Sequence, residues 1–217
     1  GKVIAANSPT LFAPSAGIVS LEIKAGDKVS EGQVLASIYS PELTNRLSQE
    51  EATFDQLAIE VGRHKIQMKT SLLNNQQAIE LALVNLEVSN VEKNRAEVSI
   101  QDSLISQREL EEKVATHKRA DLSYRHAMQN HQLQKESMEF DLKGKQSQLE
   151  RQEFVVTDLR RQVSNLSITA PIGGIIGSVN IREKDNVTHN TPLLTIIDLS
   201  VFEGEVNIPE NYADDLG

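Results

Sequence analysis

The sequence predicts an α+β protein: a long antiparallel α-helical coiled-coil hairpin inserted between the two halves of a small β-sandwich. Three observations predict this: a middle kept clear of helix breakers, a heptad seam within it, and a repeat that brackets it. The prolines are Pro9, Pro14, Pro41, Pro171, Pro192 and Pro209, so none falls between residues 42 and 170. Only Gly62 and Gly144 interrupt that stretch. Proline costs about 3 kcal/mol inside a helix and glycine about 1, so such a stretch is built to be helical. The flanks are short Val/Ile-rich runs punctuated by Gly-Asp and Pro, which is strand-and-turn chemistry.

Taken in order, residues 1–40 predict the first half of the sandwich. Ala13-Pro14 and Gly26-Asp27 are turn signals within it. Residues 41–167 predict the hairpin. From Leu110 a strict 4-3 spacing reaches Leu166 through 17 positions, 11 of them apolar, which sustains a seam over eight heptads. In the first arm Leu43, Leu47, Phe54, Leu57, Val61 and Met68 hold one register, and Leu72, Ile79, Leu83 and Leu86 continue in another. A four-residue shift of this kind is a stutter. The arms reverse near 101–106, where Ser103 and Ser106 are candidate caps and Glu109 completes a capping box with Ser106. Each arm is then about 60 residues, roughly 90 Å at 1.5 Å per residue. Folding the arms about that turn brings Gly62 nearly level with Gly144, which reads either as a bend or as two tolerated exposed glycines.

Residues 168–199 predict the second half. Ala13 to Val19 matches Ala170 to Ile176 at an offset of 157. After one inserted residue, Asp27-Lys28-Val29 matches Asp185-Asn186-Val187, and Leu35 and Ile38 match Leu193 and Ile196. About four short strands in each half cannot be stable alone, so the two halves are expected to pack face to face. Residues 200–217 alternate like a strand that begins a further domain.

Composition removes several function classes. The net charge is −9, with −3 on residues 42–167 and −6 on the ends, so no basic surface for nucleic acid is expected. No cysteine is present, which excludes disulfides, thiolate metal sites and cysteine nucleophiles. No apolar run is long enough to span a membrane, and the first residues lack a signal-peptide layout. No cluster of acid, base and nucleophile supports an enzyme, and no cofactor is implied. His64, His117, His126, His131 and His189 are scattered. His117 and His131 fall on seam positions, as do Met68, Met128 and Met138, which read as core filler.

The motif Gly26-Asp27-Lys28-Val29-Ser30-Glu31-Gly32-Gln33-Val34-Leu35, preceded by Ala13-Pro14-Ser15-Ala16-Gly17, resembles the half-motif of a biotinyl/lipoyl domain. The second copy has Gly174 but runs Lys184 to Leu193 without glycines. In carriers of that family a tight turn bearing a modified lysine joins the halves; here Tyr39-Ser40-Pro41 leads into the hairpin, and no lysine lies between Lys28 and Lys65. A split lipoyl-like domain around a hairpin, with Ser40-Pro41-Glu42-Leu43 before it and Ala170-Pro171 after it, resembles the periplasmic adaptors, or membrane fusion proteins, of HlyD/AcrA-like type. The resemblance implies a periplasmic subunit of a tripartite efflux or secretion pump, anchored at the inner membrane through parts outside this chain. Its implied partners are an outer-membrane exit channel of TolC type, an inner-membrane transporter of ABC, RND or MFS class, and further copies of itself, six being usual. It implies that residues 200–217 begin an incomplete β-barrel domain. It also implies a channel-docking tip of Arg95, Ser99, Asp102, Ser103 and Ser106, with Ser99 standing where the family has leucine, so that Val98 or Ile100 would supply apolar contact. Gly17, Gly26, Gly32 and Gly174 are the lipoyl-like turn glycines. The rival readings are a coiled-coil spacer without a channel partner and a metal-binding adaptor.

Overall fold

The computed structural model describes residues 8–198 and, as backbone, 2–5 and 202–205. Its strands and helices run β1 (Lys2–Ala5), β2 (Thr10–Phe12), β3 (Gly17–Leu21), β4 (Lys28–Val29), β5 (Val34–Tyr39), α1 (Pro41–Gln101) and α2 (Gln107–Ser164). They continue as β6 (Ser167–Thr169), β7 (Gly174–Val179), β8 (Asn186–Val187), β9 (Pro192–Ile197) and β10 (Phe202–Glu205). Two compact units result: Gly1–Ala52 with Phe154–Gly217, and Thr53–Glu153. Among the described residues no helix is long and apolar enough to cross a membrane.

The first unit is a sandwich of two four-stranded sheets, ordered β2-β9-β7-β4 and β6-β5-β3-β8. Each sheet takes two strands from each half of the repeat. This corrects the expectation of two halves packed face to face: the halves are interlocked. The physical reason lies in the edges, because a half folded alone would leave strand hydrogen-bonding groups unpaired, whereas exchange pairs them across the repeat. Replacing each strand by its repeat equivalent turns one sheet order into the other, so the unit has approximate twofold symmetry.

The core follows the same symmetry. Val19 and Ile176, Leu35 and Leu193, Ile38 and Ile196, and Val29 and Val187 are equivalent pairs, and all are buried in one cluster. The residue inserted in the second copy is Gly177. It sits in a β-bulge, because β7 and β9 pair Ile176 with Ile196 and Ser178 with Thr195. Matching irregularities fall at Leu35, where Val34 and Ala36 pair with Thr169 and Ile168, and at Leu193, where Leu194 and Pro192 pair with Leu11 and Phe12.

The turn glycines divide by cause. A Cβ on Gly17 would lie 2.5 Å from the Tyr39 carbonyl oxygen and 2.6 Å from Ile38 Cγ2. A Cβ on the equivalent Gly174 would collide with the Ile197 carbonyl oxygen and lie 3.0 Å from Ile196 Cγ2. Gly26 and Gly32 instead have φ of 91° and 79°. Their equivalents keep the left-handed conformation without glycine, Lys184 at 68° and Asn190 at 64°. Cross-repeat hydrogen bonds hold it: Gly26 N–H donates to the Ile176 carbonyl and Lys184 N–H to that of Val19, at 2.8 and 2.9 Å. Gly32 donates to Ala170 and Asn190 to Ala13, both at 2.8 Å. Asparagine tolerates this region and lysine does so at a cost of about 1 kcal/mol. Lys184→Gly is therefore expected to raise stability by roughly 0.5 kcal/mol after the added unfolded-state entropy is deducted, read as an upward shift of the urea midpoint.

β1 pairs antiparallel with β10, Lys2 opposite Glu205 and Ala5 opposite Phe202, in a two-stranded sheet separate from the sandwich. Of the stretch from 200 to 217 read as the start of a barrel domain, only 202–205 fall among the described residues.

Helices α1 and α2 have 61 and 58 residues. Both run unbroken through Gly62 and Gly144, where an added Cβ would meet nothing within 4 Å. Gly62→Ala and Gly144→Ala are each expected to stabilise the hairpin by about 1 kcal/mol through helix propensity, measured as slower hydrogen exchange around each site. The seam is thinly buried. On α1 it includes Val61, Ile79, Ala82, Ser89 and Ala96, all under 9% exposed. On α2 most positions are half-buried. Val114 and Met128, inward on a strict 4-3 spacing, are exposed, and Lys113 and Ala127 take their places. The cause is a second stutter: the half-buried row steps 127, 131, 135 on α2, level with a step at 71, 75, 79 on α1.

Candidate functional site

The connection between the helices is closed by two backbone motifs. At the end of α1, Leu104 N–H donates to the Ser99 carbonyl at 2.9 Å and Ser103 N–H to that of Ile100 at 3.1 Å. Ser103 has φ 57°. This is a Schellman cap with serine at the position usually held by glycine. Ser106 caps α2: its Oγ accepts from Glu109 N–H at 3.2 Å, and its carbonyl accepts from Glu109 and Leu110. The sequence reading gave both serines to the start of the second helix. The structure gives only Ser106 that role, because Ser103 is the left-handed residue that ends the first.

Of the five residues singled out for the tip, Ser99, Asp102, Ser103 and Ser106 therefore share the reversal itself, and Arg95 lies one turn before it. Arg95 is exposed and Ser99 half-buried. Both line a shallow groove of about 240 Å³ with Ala96, Ile105, Glu92 and Lys113. Both also border an open hollow of about 560 Å³ with Val91, Asn94 and Val98. Val98 is exposed and Ile100 half-buried, so Val98 is the side chain placed to offer apolar contact beside Arg95. Sequence reasoning missed two features. Leu104, 73% exposed, caps the end with an apolar side chain. Lys113 Nζ bridges to Glu92 Oε2 at 2.9 Å across the two helices. That hydrogen bond, with the carboxylate's charge, holds Lys113 above the ordinary lysine range. Only a three-dimensional register brings 92 and 113 together, since their spacing spells no local motif.

The surface presents a guanidinium, serine hydroxyls and exposed aliphatics on a capped turn. Among the described residues, no three His, Asp or Glu side chains are grouped so as to hold a metal ion. His117 Nδ1 lies 3.3 Å from Ser89 Oγ on the seam, and His189 Nδ1 donates to the Pro14 carbonyl at 2.9 Å. β5 passes directly into α1, so no lysine-bearing turn follows β5 as it does in carriers of the lipoyl type.

No family model matches the chain. A nodulation protein, NolF, of Rhizobium meliloti (strain 1021) is 30% identical over 69 residues, which is 32% of this chain and 19% of that protein. The periplasmic adaptor protein EmrA superposes with a TM-score of 0.51 at 14% identity, covering 92% of this chain and 74% of that one. MacA from Actinobacillus actinomycetemcomitans superposes with a TM-score of 0.50 at 20% identity, covering 93% of this chain and 52% of that one. The chain thus spans about half of MacA, and its match to NolF spans about a fifth of that protein. A helical hairpin inserted between the halves of an interlocked sandwich is thus the fold that this chain shares with the periplasmic adaptor protein EmrA and with MacA.

Proposed function

We propose that the chain is the hairpin and lipoyl-like portion of a periplasmic adaptor in a tripartite efflux or secretion pump. The observation that carries this reading is the insertion of 61- and 58-residue helices between the halves of an interlocked sandwich, in the place where a carrier has its lysine-bearing turn. The work is mechanical. The lipoyl-like sandwich packs beside its copies in a ring, with six the expected number. The hairpin tip, through Arg95, Ser99, Asp102, Ser103 and Ser106, docks on an outer-membrane exit channel of TolC type. Val98 and Leu104 supply the apolar contact that the family's leucine would give at the position of Ser99. Parts outside this chain hold it at the inner membrane and engage the transporter. Gly17, Gly26, Gly32 and Gly174 act indirectly, by fixing the sandwich.

Site-specific crosslinking tests the reading. The sequence has no cysteine, so Leu104→Cys introduces a single thiol at the exposed end of the hairpin. Leu104 is preferred to Ser103 because its side chain is 73% exposed at the end of the hairpin. The control is Gln76→Cys, midway along α1. A crosslink to an outer-membrane channel in intact cells from Leu104→Cys alone is the expected result. Absence of any channel adduct from the tip, with normal expression and export, would overturn the docking reading.

A further inference from the structure

We propose that the inner seam of the hairpin holds a soft monovalent cation, Cu(I) or Ag(I), between His64 Nε2 and the thioether sulfurs of Met68 and Met138. The inference concerns the hairpin by itself and stands independently of any docking at the tip.

The seam is built from layers, each taking one residue from α1 and one from α2. Ser89 Oγ lies 3.3 Å from His117 Nδ1, and the numbers of that pair add to 206. The same sum joins every inner position from Val61 and Lys145 to Ala96 and Leu110, and each of those residues is buried or half-buried. Glu92–Lys113 and Glu60–Lys145, which bridge the helices at 2.9 and 3.5 Å, agree with it to within one residue. On that scale Met68 and Met138 occupy a single layer. His64 lies in the next layer toward the start of α1, opposite Leu142. Its Nε2 is buried and has no hydrogen-bond partner, and Leu142 has no polar atom to offer it. An imidazole nitrogen stripped of water and left unpaired lowers stability unless something binds it. Methionine pairs fill cores readily, but filling the seam does not account for the nitrogen beside them. His64 and Met68 are four residues apart on one helix face, with Cβ atoms about 6 Å apart. Met138 stands level with Met68 on the other helix. Three donors can therefore converge on one point between the two layers.

The donor set selects the ion. Thioether sulfur is soft and favours Cu(I), and imidazole also suits copper. All three donors are neutral. A divalent ion would bring two uncompensated charges into a low-dielectric seam, and a monovalent ion only one. The adjoining cation, Lys135 in the next layer, is paired with Glu139 at 4.0 Å. The second buried and unpaired imidazole nitrogen, His131 Nδ1, belongs to the layer of Asn75. That layer stands about 10 Å along the helix from Met138, out of reach of the same ion. Met128 is exposed and is no donor.

The test titrates Cu(I) into the purified full-length protein, without oxygen, against bicinchoninate as a competing chelator. The expected result is a Cu(I) ion on each chain whose binding depends on all three donors. Met68→Leu, Met138→Leu and His64→Leu should each weaken it by at least about tenfold, the loss that even an outer-shell partner produces. Leucine conserves the volume of methionine, so those two variants keep the hairpin folded. His131→Leu and Met128→Leu, outside the site, should leave the affinity unchanged. X-ray absorption at the copper edge should show two sulfur neighbours and one nitrogen. Ag(I) should slow hydrogen exchange on both arms, around 64–68 and 138–142, because it ties them together. No uptake against the chelator would overturn the inference. So would an unchanged affinity in the two methionine variants, or a copper shell of nitrogen and oxygen alone. An equal loss from His131→Leu would trace the effect to general loosening of the seam and overturn it as well. No channel is present in these measurements, so their failure leaves the docking reading untouched.

Discussion

Gly174→Ala and Gly17→Ala are each expected to destabilise the sandwich by about 2–3 kcal/mol, the usual range for forcing an atom into a closed space. At both positions the obstacle is backbone. The carbonyl oxygens of Ile197 and Tyr39 face the two glycines, and each carbonyl belongs to a strand held in its sheet. A flexible side chain could swing away, but these strands would have to part from β3 or β7. Differential scanning calorimetry should show the sandwich transition falling by on the order of 10 °C. The two substitutions should cost similar amounts, because twofold symmetry gives them equivalent surroundings. Gly62→Ala serves as the control of opposite sign, since space around it is open.

Leu193→Ala and Leu35→Ala should each cost about 3–4 kcal/mol, within the range for a fully buried leucine. Both side chains are 0% exposed, and both sit at the irregular step where their strand pairs with its edge partner. A cavity there is bounded by strands from both halves and has little freedom to collapse. The double variant should lose less than the two single losses combined, because the side chains share one core cluster. Hydrogen exchange of β5 and β9 amides in urea would measure all three.

Much of this was legible in the sequence because it depends on local chemistry. The absence of Pro and the scarcity of Gly between 42 and 170 report a helical middle directly. The offset of 157 or 158 reports two equivalent halves. Which strand pairs with which was not legible, because alternation along a strand records the buried face and says nothing of its neighbours. The left-handed turn at Lys184 was hidden for a related reason: the bond from its N–H to the Val19 carbonyl imposes the conformation that glycine would otherwise advertise. On α2, the inner row passes through Ala120 and Ala127, and a pattern that counts large apolar residues overlooks them. It therefore chose Val114 and Met128. At the tip, Ser106 announced its cap through Glu109 three residues on, whereas the Schellman closure on Ser103 carried no glycine signal. The Glu92–Lys113 bridge depends on the register between helices, which the sequence constrains only loosely.

The interlocking of the two halves has a kinetic side. The Thr10–Thr195 hydrogen bond joins residues 185 apart, and neither sheet can be built before the last strands are available. Contacts so distant are slow to form, because the intervening chain must first be gathered in. The hairpin gathers it. As α1 and α2 zip together, they deliver β5 and β6 to the same place, where Ile38 N–H bonds to the Leu166 carbonyl at 2.9 Å. The hairpin thus acts as a clasp for the sandwich during folding, separately from any reach it gives the finished protein. A single cut in the 102–106 connection would leave every sandwich contact in place once formed, yet it would turn the assembly of that domain from a first-order into a second-order reaction.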